Sequence, residues 1–484
     1  CERYVLVYNG EIYNHLNIRK KLESEGVAPK WKGHSDTEIF LAAIKSWGLE
    51  KTLTESHGMF ALALWDKKLK TLSLARDRMG EKPLYWGWAG KDFIFGSELK
   101  ALQAHPNFQN IICSKSLLQY LRFMYVPAPR SIYKSIFKLE PGTILLVKGD
   151  PPTKELKEPI RPGESYENIS ILKYWNFDEE ISIGSLNPIK DDIEAVSITS
   201  KTLSEVVKKQ MISDVSLGAF LSGGIDSSTI VALMQEQSQR PINTFTIGFE
   251  ENNLDESSHA AKVARHLGTD HSEIFITDAE ARDVIPNLTW LYDEPFADSS
   301  QIPTYLVCQT ARQQLSVALT GDGGDEIFGG YNRHIFGPKL WSGISFFPNS
   351  MRNIIGYMIQ AFPEKVWDGF GGAYNLFRPG SMGISNVGAK MHIFGESLKF
   401  NKNFDDFYRN IVSVWSEPEK LLKENVTEPF SQIDDNIPDS VLKNPAEIMM
   451  YQDIRSYLPD DILCKIDRAS MGVSLETRAP FLDK

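Results

Sequence analysis

The sequence predicts two units of different fold class, an α+β unit followed by an α/β unit with a helical C-terminal part. Residues 1–148 combine short apolar β-type runs with a few helical stretches. After Tyr174, strand-like runs alternate with helical spacing, which is typical of parallel strands in a doubly wound sheet. A chain of 484 residues is also too long for one ordinary core. We therefore divide it into 1–148, a linker or insertion at 149–173, and 174–484.

The composition indicates a soluble globular protein of a reducing compartment. Hydrophobic residues make up 42% of the chain and charged residues 24%, which is ordinary for that class. The formal net charge of −11 argues against a nucleic-acid partner, because phosphate binding requires a basic face. No apolar run approaches the roughly 18 residues of a membrane helix, so no membrane partner is expected. Four scattered cysteines without a C-x-x-C pair exclude a zinc ribbon and suit a cytoplasmic protein.

Two local signals open the first unit. The dipeptide Asn9-Gly10 separates two apolar runs and is the strongest short signal for a β-hairpin. Ser35 followed by Glu38 has the capping-box pattern, and it precedes a helical run that Gly48 closes. We therefore expect a hairpin and then a short helix.

Further strands are predicted in the rest of the first unit. The runs Phe60–Trp65 and Leu72–Ala75 flank a polar turn and predict a second hairpin, and Phe93–Gly96 predicts another strand. Ser97 is expected to cap a helix. From Gly149 to about Asn168, prolines lie among charged residues, which is typical of a linker or a surface excursion.

The second unit starts with a helix and continues with alternating elements. Apolar residues at helical spacing predict a helix over Ile193–Met211. The predicted parallel strands are Val215–Leu221, Ile242–Phe249, His271–Ile276 and Leu315–Thr320. Ligands of such sheets bind at the carboxyl ends of the strands. The stretch from Tyr331 to about Lys443 is aromatic-rich and mostly helical, and it carries no chemical motif.

The most informative segment is the glycine-rich turn after the first of these strands. The stretch Leu221–Ser228, with Gly223 and Gly224 at its centre, leads into the apolar run Thr229–Met234, which predicts a helix. Such a turn leaves backbone N–H groups pointing one way at a helix N-terminus, which forms a cradle for an anion. The spacing fits neither the Walker A loop nor G-x-G-x-x-G. It resembles the pyrophosphate loop of enzymes that cleave ATP to adenylate a substrate, although a plain strand-to-helix corner is the alternative.

A second turn brings carboxylates to the same edge of the predicted sheet. Thr320-Gly321 ends the fourth strand, and Asp322, Asp325 and Glu326 follow among glycines. Carboxylates beside a phosphate cradle require a cation between them, and Mg²⁺ is the usual one. A solvated acidic turn is the alternative.

Two more segments indicate a functional site only when they are considered together with the two glycine-rich turns. Asp293 to Ser300 holds three acids that would equally serve as helix caps. Lys465 lies in an otherwise helical segment and has the charge to stabilise a transferring phosphoryl group, although a lone lysine on a helix is usually solvated.

Together these motifs resemble the glutamine-hydrolysing asparagine synthetases over nearly the whole chain. The second unit carries, in order, Ser-Gly-Gly-x-Asp-Ser, Asp-Glu-Pro-Phe-Ala-Asp-Ser-Ser, Gly-Asp-Gly-Gly-Asp-Glu and Lys-x-Asp-Arg-x-Ser-Met. The first unit adds Tyr-Asn-Gly-Glu-Ile-Tyr-Asn, Ser-Asp-Thr-Glu and Ala-Arg-Asp-Arg-Met-Gly-Glu-Lys-Pro-Leu-Tyr. The resemblance implies an Ntn-hydrolase β-sandwich with helices at 1–148, which would act as a glutaminase, and an ATP-pyrophosphatase domain at 174–484.

For the second unit, the resemblance implies adenylation of aspartate to β-aspartyl-AMP, which ammonia then converts to asparagine with release of AMP. The residues that would bind ATP are Leu221, Ser222, Gly223, Gly224, Asp226, Ser227, Ile247, Thr320 and Gly321. Asp226 and Asp325 would hold Mg²⁺, Lys465 would stabilise charge during catalysis, and Asp322 would shape the aspartate site. Many relatives have Glu where this chain has Asp322.

For the first unit, the resemblance implies that Asn9 and Gly10 supply an oxyanion hole and hold glutamine together with Glu11 and Asp36. The family uses an N-terminal Cys as nucleophile. We reject Cys1 for that role, because it is followed by Glu and Arg instead of Gly and runs straight into the oxyanion segment. We expect the sequence to be a fragment cut at both ends, and as given it should not hydrolyse glutamine.

Alternatives stay open at this stage. Relatives amidate sugar acids or close rings, and the presence of a glutaminase half disfavours only the ring-closing enzymes. A non-catalytic nucleotide-binding regulator is a third reading. The substrates implied by the leading hypothesis are aspartate, glutamine and ATP, a homodimer is the assembly considered, and ammonia should pass through an apolar tunnel between the units.

Overall fold

A computed structural model describes residues 2–249, 257–376, 387–399, 403–435 and 441–484. Cys1 lies outside these residues. Within the described ranges, the helices all fall short of the length and apolar character that crossing a bilayer requires. The molecule contains two antiparallel sheets in its first third and a parallel sheet later, which confirms the predicted fold class.

The first part of the chain forms a sandwich of two antiparallel sheets with helices on both outer faces. Its strands are β1 Tyr4–Ile12, β2 Gly58–Asp66, β3 Thr71–Arg76, β4 Tyr85–Ala89, β5 Asp92–Gly96, β6 Ile136–Lys138, β7 Thr143–Lys148, β8 Ser165–Tyr166 and β9 Ile169–Lys173. Its helices are α1 His15–Ser24, α2 Asp36–Trp47, α3 Leu49–Glu55, α4 Leu99–Gln103 and α5 Ser114–Phe123. The larger sheet has the order β1-β2-β3-β7-β9-β8, and the smaller one has β5-β4-β6.

Alternation along β2 explains the sandwich. Leu62 and Leu64 pack with α1 and α2 in one core, whereas Ala61 and Ala63 face the core shared with Trp86 of the smaller sheet. Successive side chains of a strand point to opposite faces, so the larger sheet is covered on both sides. The predicted hairpin over β2 and β3, the strand β5 and the helix closed by Gly48 are all confirmed.

The predicted hairpin at Asn9-Gly10 is wrong. β1 runs unbroken through both residues, and Asn9 and Gly10 pair with Ala61 and Phe60 of β2. Gly10 has φ +152, and a Cβ there would lie 2.7 Å from the Phe60 Cα. The glycine is therefore required by close approach of two strands rather than by a turn.

Two predicted caps also differ. Ser35 does cap α2 by accepting a bond from the Glu38 N–H at 3.4 Å, but the Glu38 carboxylate accepts from the N–H groups of Lys32 and Gly33 instead of closing a capping box. The N-cap position of α4 is occupied by Glu98 and not by Ser97, and Glu98 makes no side-chain cap bond. The segment predicted as a linker ends in β8 and β9, which extend the larger sheet beyond β7.

The second part contains the predicted parallel sheet. Its strands are β10 Leu217–Phe220, β11 Asn243–Phe249, β12 Asp270–Ile276, β13 Val317–Leu319 and β14 Glu476–Arg478, in the order β12-β11-β10-β13-β14. All adjacent pairs are parallel. β14 was not predicted, since its three residues are polar and bear no strand pattern.

Helices surround this sheet and form the remaining described structure. They are α6 Phe177–Leu186, α7 Asp192–Gln210, α8 Ile225–Gln237, α9 Ser257–Leu267, α10 Asp278–Val284, α11 Leu288–Tyr292, α12 Gln301–Ala311, α13 Gly324–Phe328, α14 Asn332–Ser345, α15 Asn349–Ala361, α16 Glu364–Leu376, α17 Val387–Leu398, α18 Phe404–Ile411, α19 Pro445–Gln452 and α20 Leu463–Met471. Short 3₁₀ turns lie at Ile285–Asn287, Pro418–Leu421, Gln432–Asp434 and Pro480–Leu482. The helical character predicted for 331–443 is confirmed in its described ranges.

A π-helix, Asp453–Ile462, joins α19 to α20. π-helical turns are rare and are frequent at functional sites. Asp453 at its start is fully buried, and its carboxylate accepts from Arg333 Nε at 2.9 Å and lies 2.6 Å from His334 Nε2. A buried carboxylate requires such partners, so the start of the π-helix is fixed in place.

The two parts of the chain meet across buried ion pairs. Lys82 Nζ lies 2.9 Å from Asp467 Oδ1, with both side chains less than a tenth exposed. Arg122 Nη2 lies 2.6 Å from Glu428 Oε2 and is equally buried. Breaking a buried pair leaves an uncompensated charge, so these contacts specify how the parts fit together.

Candidate functional site

The glycine-rich turn forms an open helix N-terminus at the end of β10. Gly224 is the N-cap residue of α8, and no side chain caps the helix. Ser227 Oγ accepts from the Ser222 N–H at 3.2 Å and lies 3.0 Å from Ser222 Oγ, which holds the turn in shape. Gly223 has φ +82, and a Cβ there would lie 2.7 Å from the Ala260 nitrogen. The uncapped amides therefore suit an anion.

A second turn packs directly on the first through glycines. A Cβ at Gly324 would lie 2.5 Å from Asp226 Cγ, and one at Gly321 would lie 2.8 Å from the Ser227 nitrogen. This close approach brings Asp325 beside Asp226. Burial raises the pKa of Asp226, and the carboxylate of Asp325 raises it further.

Two adjacent carboxylates next to an anion cradle suit a divalent cation. Mg²⁺ is commonly held by one or two carboxylates together with substrate phosphates, so Asp226 and Asp325 fit it. Across the described ranges, groups of three or more His, Cys, Asp or Glu side chains placed to hold a metal by themselves are absent. The residues present thus agree with a cation shared with a phosphate ligand.

The other predicted nucleotide-binding residues lie at the same edge of the sheet. Phe220 at the end of β10 pairs with Phe245 of β11, so Ile247 lies two residues beyond that level. Ile247 is half-buried and pairs with Ile274 of β12. Thr320 is buried directly after β13, where its N–H donates to the Arg478 carbonyl at 2.9 Å. The sheet thus brings Ile247, Thr320 and the glycine turns to one edge, as expected for parallel strands.

Lys465 is held by the segment that precedes α12. Its Nζ lies 3.0 Å from Asp298 Oδ2 and donates to Ser300 Oγ at 2.7 Å. Both Lys465 and Asp298 have side chains about 12% exposed. Burial acts to raise the pKa of Asp298, but the Lys465 ammonium and the bonds from Ser300 outweigh it and lower that pKa. The acids of this segment also bind backbone groups at helix starts, as the helix-cap alternative expected: Asp298 Oδ1 accepts from the Ser300 N–H at 2.6 Å before α12, and Asp293 Oδ2 accepts from the Leu99 N–H at 2.9 Å at the start of α4.

The carboxyl group of Asp461, on the π-helix, lies next to Lys465, Asp298 and Ser300, which we call the Lys465 cluster. Asp461 is 5% exposed, and its Oδ1 has no hydrogen-bond partner among the described residues. Burial raises the pKa of Asp461 to about 8, with a further contribution from Asp298. The Asp461 carboxyl group therefore holds its proton more strongly than an ordinary aspartate, and it lies beside the Lys465–Asp298 ion pair.

The charges of both Asp325 and Lys465 act on Asp322. Its N–H donates to Thr320 Oγ1 at 3.4 Å. Burial raises the pKa of Asp322, and the nearby Lys465 ammonium partly offsets this. Glu326, which follows the same turn, accepts from the Tyr331 hydroxyl at 2.6 Å, and burial raises its pKa to about 7.

The residues predicted to hold glutamine lie along β1 and at the start of α2. Asp36 Oδ2 accepts from the Ile12 N–H at 3.0 Å and from the Tyr8 hydroxyl at 3.2 Å. The pKa of Glu11 is raised to about 7. Burial is the largest cause, and the nearby carboxylates of Glu476 and Asp36 add to it. β1 is an edge strand within the described sheet, so alternate N–H groups along Asn9 and Gly10 lack a strand partner. Unpaired amides there are compatible with an oxyanion hole.

A small cavity lies between β2, the segment that follows β3, and α20, and both charged and apolar side chains line it. This cavity of about 10 Å³ is bordered by Met59, Glu81, Lys82, Leu463 and Asp467. Burial raises the pKa of Glu81, as do nearby carboxylates. Charged and apolar side chains both line this cavity, and the apolar ammonia tunnel stays a prediction.

Several of these residues were missed by the sequence. Asp298 and Ser300 were noted only as part of an acidic segment, and Asp461 was not singled out at all. The consecutive pair Asp460-Asp461 just before α20 was the available signal, since two adjacent acids in a helical run are costly to bury.

Family models match both parts of the chain. One for asparagine synthase covers residues 199–484, and one for a glutamine amidotransferase domain covers residues 1–156. A putative asparagine synthetase [glutamine-hydrolyzing] 2 of Methanocaldococcus jannaschii is 32% identical, with 96% of this chain and 81% of the relative covered. Asparagine synthetase [glutamine-hydrolyzing] 1 of Bacillus subtilis is 31% identical, with 100% and 69% covered. The amidase chyE of Penicillium rubens is 27% identical, with 99% and 68% covered.

Proposed function

Since the chain belongs to the asparagine synthase family, we propose that it amidates aspartate to asparagine at the expense of ATP, with ammonia from glutamine. Membership supports a ligase of the glutamine-dependent amidotransferase type. The observation that carries the proposal is the contact between the two glycine turns. It places the cradle, Asp226 and Asp325 side by side at the carboxyl edge of the parallel sheet.

The first step is binding of ATP at the cradle. The N-terminal amides of α8 would bind the phosphates that leave as pyrophosphate, with Ser222 and Ser227 beside them. Leu221 and Ile247 would contact the nucleoside, together with Thr320 and Gly321. Mg²⁺ held by Asp226 and Asp325 would supply charge neutralisation for the phosphates.

The second step is attack of the aspartate side-chain carboxylate on the α-phosphate. Asp298 and Ser300 hold Lys465 in position, and its ammonium would stabilise negative charge that develops on the phosphoryl oxygens. Asp322 lies within the electrostatic range of Lys465 and would shape the aspartate site. The product of this step is β-aspartyl-AMP, and pyrophosphate leaves.

In the last step ammonia displaces AMP. Asn9 and Gly10 would stabilise the oxyanion of glutamine hydrolysis, while Glu11 and Asp36 would hold glutamine. Cys1 is not assigned as the nucleophile of that hydrolysis. Ammonia would then reach the adenylate and form the amide bond.

A different acceptor acid is the second candidate, and similarity to the amidase chyE favours keeping it. Sugar acids of surface polysaccharides belong to this alternative. A regulator that binds nucleotide without turnover is the third candidate, and the intact set of Asp226, Asp325 and Lys465 counts against it.

The test is ATP–pyrophosphate exchange on the full-length protein with aspartate and a panel of sugar acids as separate acceptors. We expect exchange that depends on aspartate. Exchange with another acid alone would keep the mechanism and replace the substrate. A folded protein that binds ATP and shows no exchange with any acceptor would support the regulator.

A further inference from the structure

Lys138 is a buried cation of the first part of the chain that meets two carboxylates of the second. It ends β6, and its side chain is 7% exposed. Its Nζ lies 2.8 Å from Glu294 Oε1 and 3.5 Å from Asp460 Oδ1, and it also donates to the Val126 carbonyl. Burial disfavours the ammonium of Lys138, but these two carboxylates outweigh it and hold its pKa above the ordinary value.

Both carboxylates are also bound by backbone groups of the first part. The Ile132 N–H donates to Glu294 Oε2 at 2.9 Å, and the Ala128 N–H donates to Asp460 Oδ2 at 2.6 Å. Glu294 and Asp460 are 6% and 3% exposed, so neither has water as an alternative partner. The position of each carboxylate is therefore set from across the interface.

The same two segments hold Lys465. Glu294 lies four residues before Asp298, which contacts Lys465 Nζ at 3.0 Å, and Ser300 follows at 2.7 Å. Asp460 lies next to Asp461, whose carboxyl group belongs to the Lys465 cluster. Successive residues of a helix point in different directions, so the π-helix presents Asp460 to the first part and Asp461 to Lys465.

We propose that Lys138 is a positioning residue for Lys465, and that through Glu294 and Asp460 the first part of the chain sets the adenylation rate of the second. This role of Lys138 rests on the proposed function, because adenylation is part of that proposal. Its geometry rests on the contacts of Lys138 with Glu294 and Asp460. Without Lys138, two buried carboxylates would lack their cation, and the segments that carry Asp298 and Asp461 would shift to relieve them. Adenylation would then slow although Lys138 touches no substrate.

The test compares Lys138→Met with Arg122→Met in the full-length protein. Arg122 is the control, because it forms an equally buried ion pair between the same two parts with Glu428, which is not among the residues that contact Lys465 and which also pairs with Arg409 Nη2 at 2.9 Å. ATP–pyrophosphate exchange is measured without any nitrogen source, so that glutamine hydrolysis plays no part. We expect Lys138→Met to lower the maximal exchange rate at least tenfold, with KM for ATP within threefold. Arg122→Met should stay within twofold of the wild type, and Lys138→Arg should recover most of the loss.

Hydrogen–deuterium exchange gives a second readout that needs no acceptor. Amides of 298–300 and 463–471 should lose protection in Lys138→Met and keep it in Arg122→Met. If the wild type itself shows no pyrophosphate exchange, the proposed function fails, and this protection pattern still decides the role of Lys138. Equal protection in both variants, or exchange rates within twofold of each other, would overturn the inference.

A milder variant covers the case in which Lys138→Met does not fold. Glu294→Gln keeps the size of the side chain and leaves Lys138 paired with Asp460. We expect a three- to tenfold loss of the maximal exchange rate in a folded protein. A rate equal to the wild type would contradict the inference.

Discussion

The cradle for the nucleotide and the cluster around Lys465 lie close together but are built in different ways. The cradle consists of backbone groups held by close glycine contacts between two turns, each of which follows a strand of the same sheet. The Lys465 cluster consists of buried side chains from α20, the π-helix and the segment before α12. Each turn of the cradle can therefore be recognised from its local sequence, whereas the side-chain cluster depends wholly on how distant segments pack.

The largest effect that tests whether the cradle and the Lys465 cluster act separately is expected on removing the lysine cation of the cluster. Lys465→Met should lower ATP–pyrophosphate exchange about 10³-fold, because an oriented charge that acts on the transition state is worth that order of magnitude. Binding of a fluorescent ATP analogue should change little, since the cradle is separate. Loss of nucleotide binding equal to the loss of exchange would mean that the two regions are one site.

The matching change in the cradle is Gly324→Ala. The new Cβ would lie 2.5 Å from Asp226 Cγ, so the Asp226 carboxylate would have to move away from Asp325. We expect exchange to fall roughly 100-fold, with a cost in stability of about 1–3 kcal/mol from overpacking. The control is Gly343→Ala, because an added methyl group there meets no atom within 4 Å. Equal activity of the two variants would contradict the close contact of the turns.

Titration of Asp461 sharpens the electrostatic side of the comparison. Its pKa is raised to about 8 in the folded protein, so the folded state binds one more proton than the unfolded state between roughly pH 4 and pH 8. Stability should therefore fall as pH rises through that window, with this residue adding at most about 1.4 kcal/mol per pH unit. Asp461→Asn should flatten the dependence in urea titrations at pH 5, 6 and 7. An unchanged slope in the variant would show that Asp461 is ionised throughout.

The smallest effect is expected where the two regions adjoin. Asp322→Glu adds one methylene and keeps the charge. We expect KM for the acceptor to change up to about fivefold, with KM for ATP constant, because one methylene is worth about 1 kcal/mol. A larger change in KM for ATP would place Asp322 with the cradle instead of the acceptor.

The parallel sheet and its glycine turns were predictable because their signals are local. Apolar runs alternating with helices gave β10 to β13, and Ser222 to Gly224 is recognisable as a strand-to-helix turn. β14 was missed because polar residues form it, and it is specified by its pairing with β13 and not by its own pattern.

The error at Asn9-Gly10 shows the limit of local signals. The same dipeptide that favours a hairpin turn serves here inside a strand, where Gly10 allows β1 and β2 to approach closely. Only the partner strand distinguishes the two outcomes. Likewise, the partners of Lys465 are 165 and 167 residues away in sequence, so no local pattern predicts them.

The neighbouring aspartates of the π-helix have a consequence for engineering by recombination. Asp460 contacts Lys138 of the first part of the chain, and Asp461 lies in the Lys465 cluster of the second part. Two neighbouring residues of one helix therefore interact with both parts. A chimera joined near residue 148 or 173 would inherit Lys138 from one parent and its carboxylates from the other. Grafts between relatives should therefore transfer 126–138, 293–300 and 453–471 as one set, even though these segments are not contiguous in the gene.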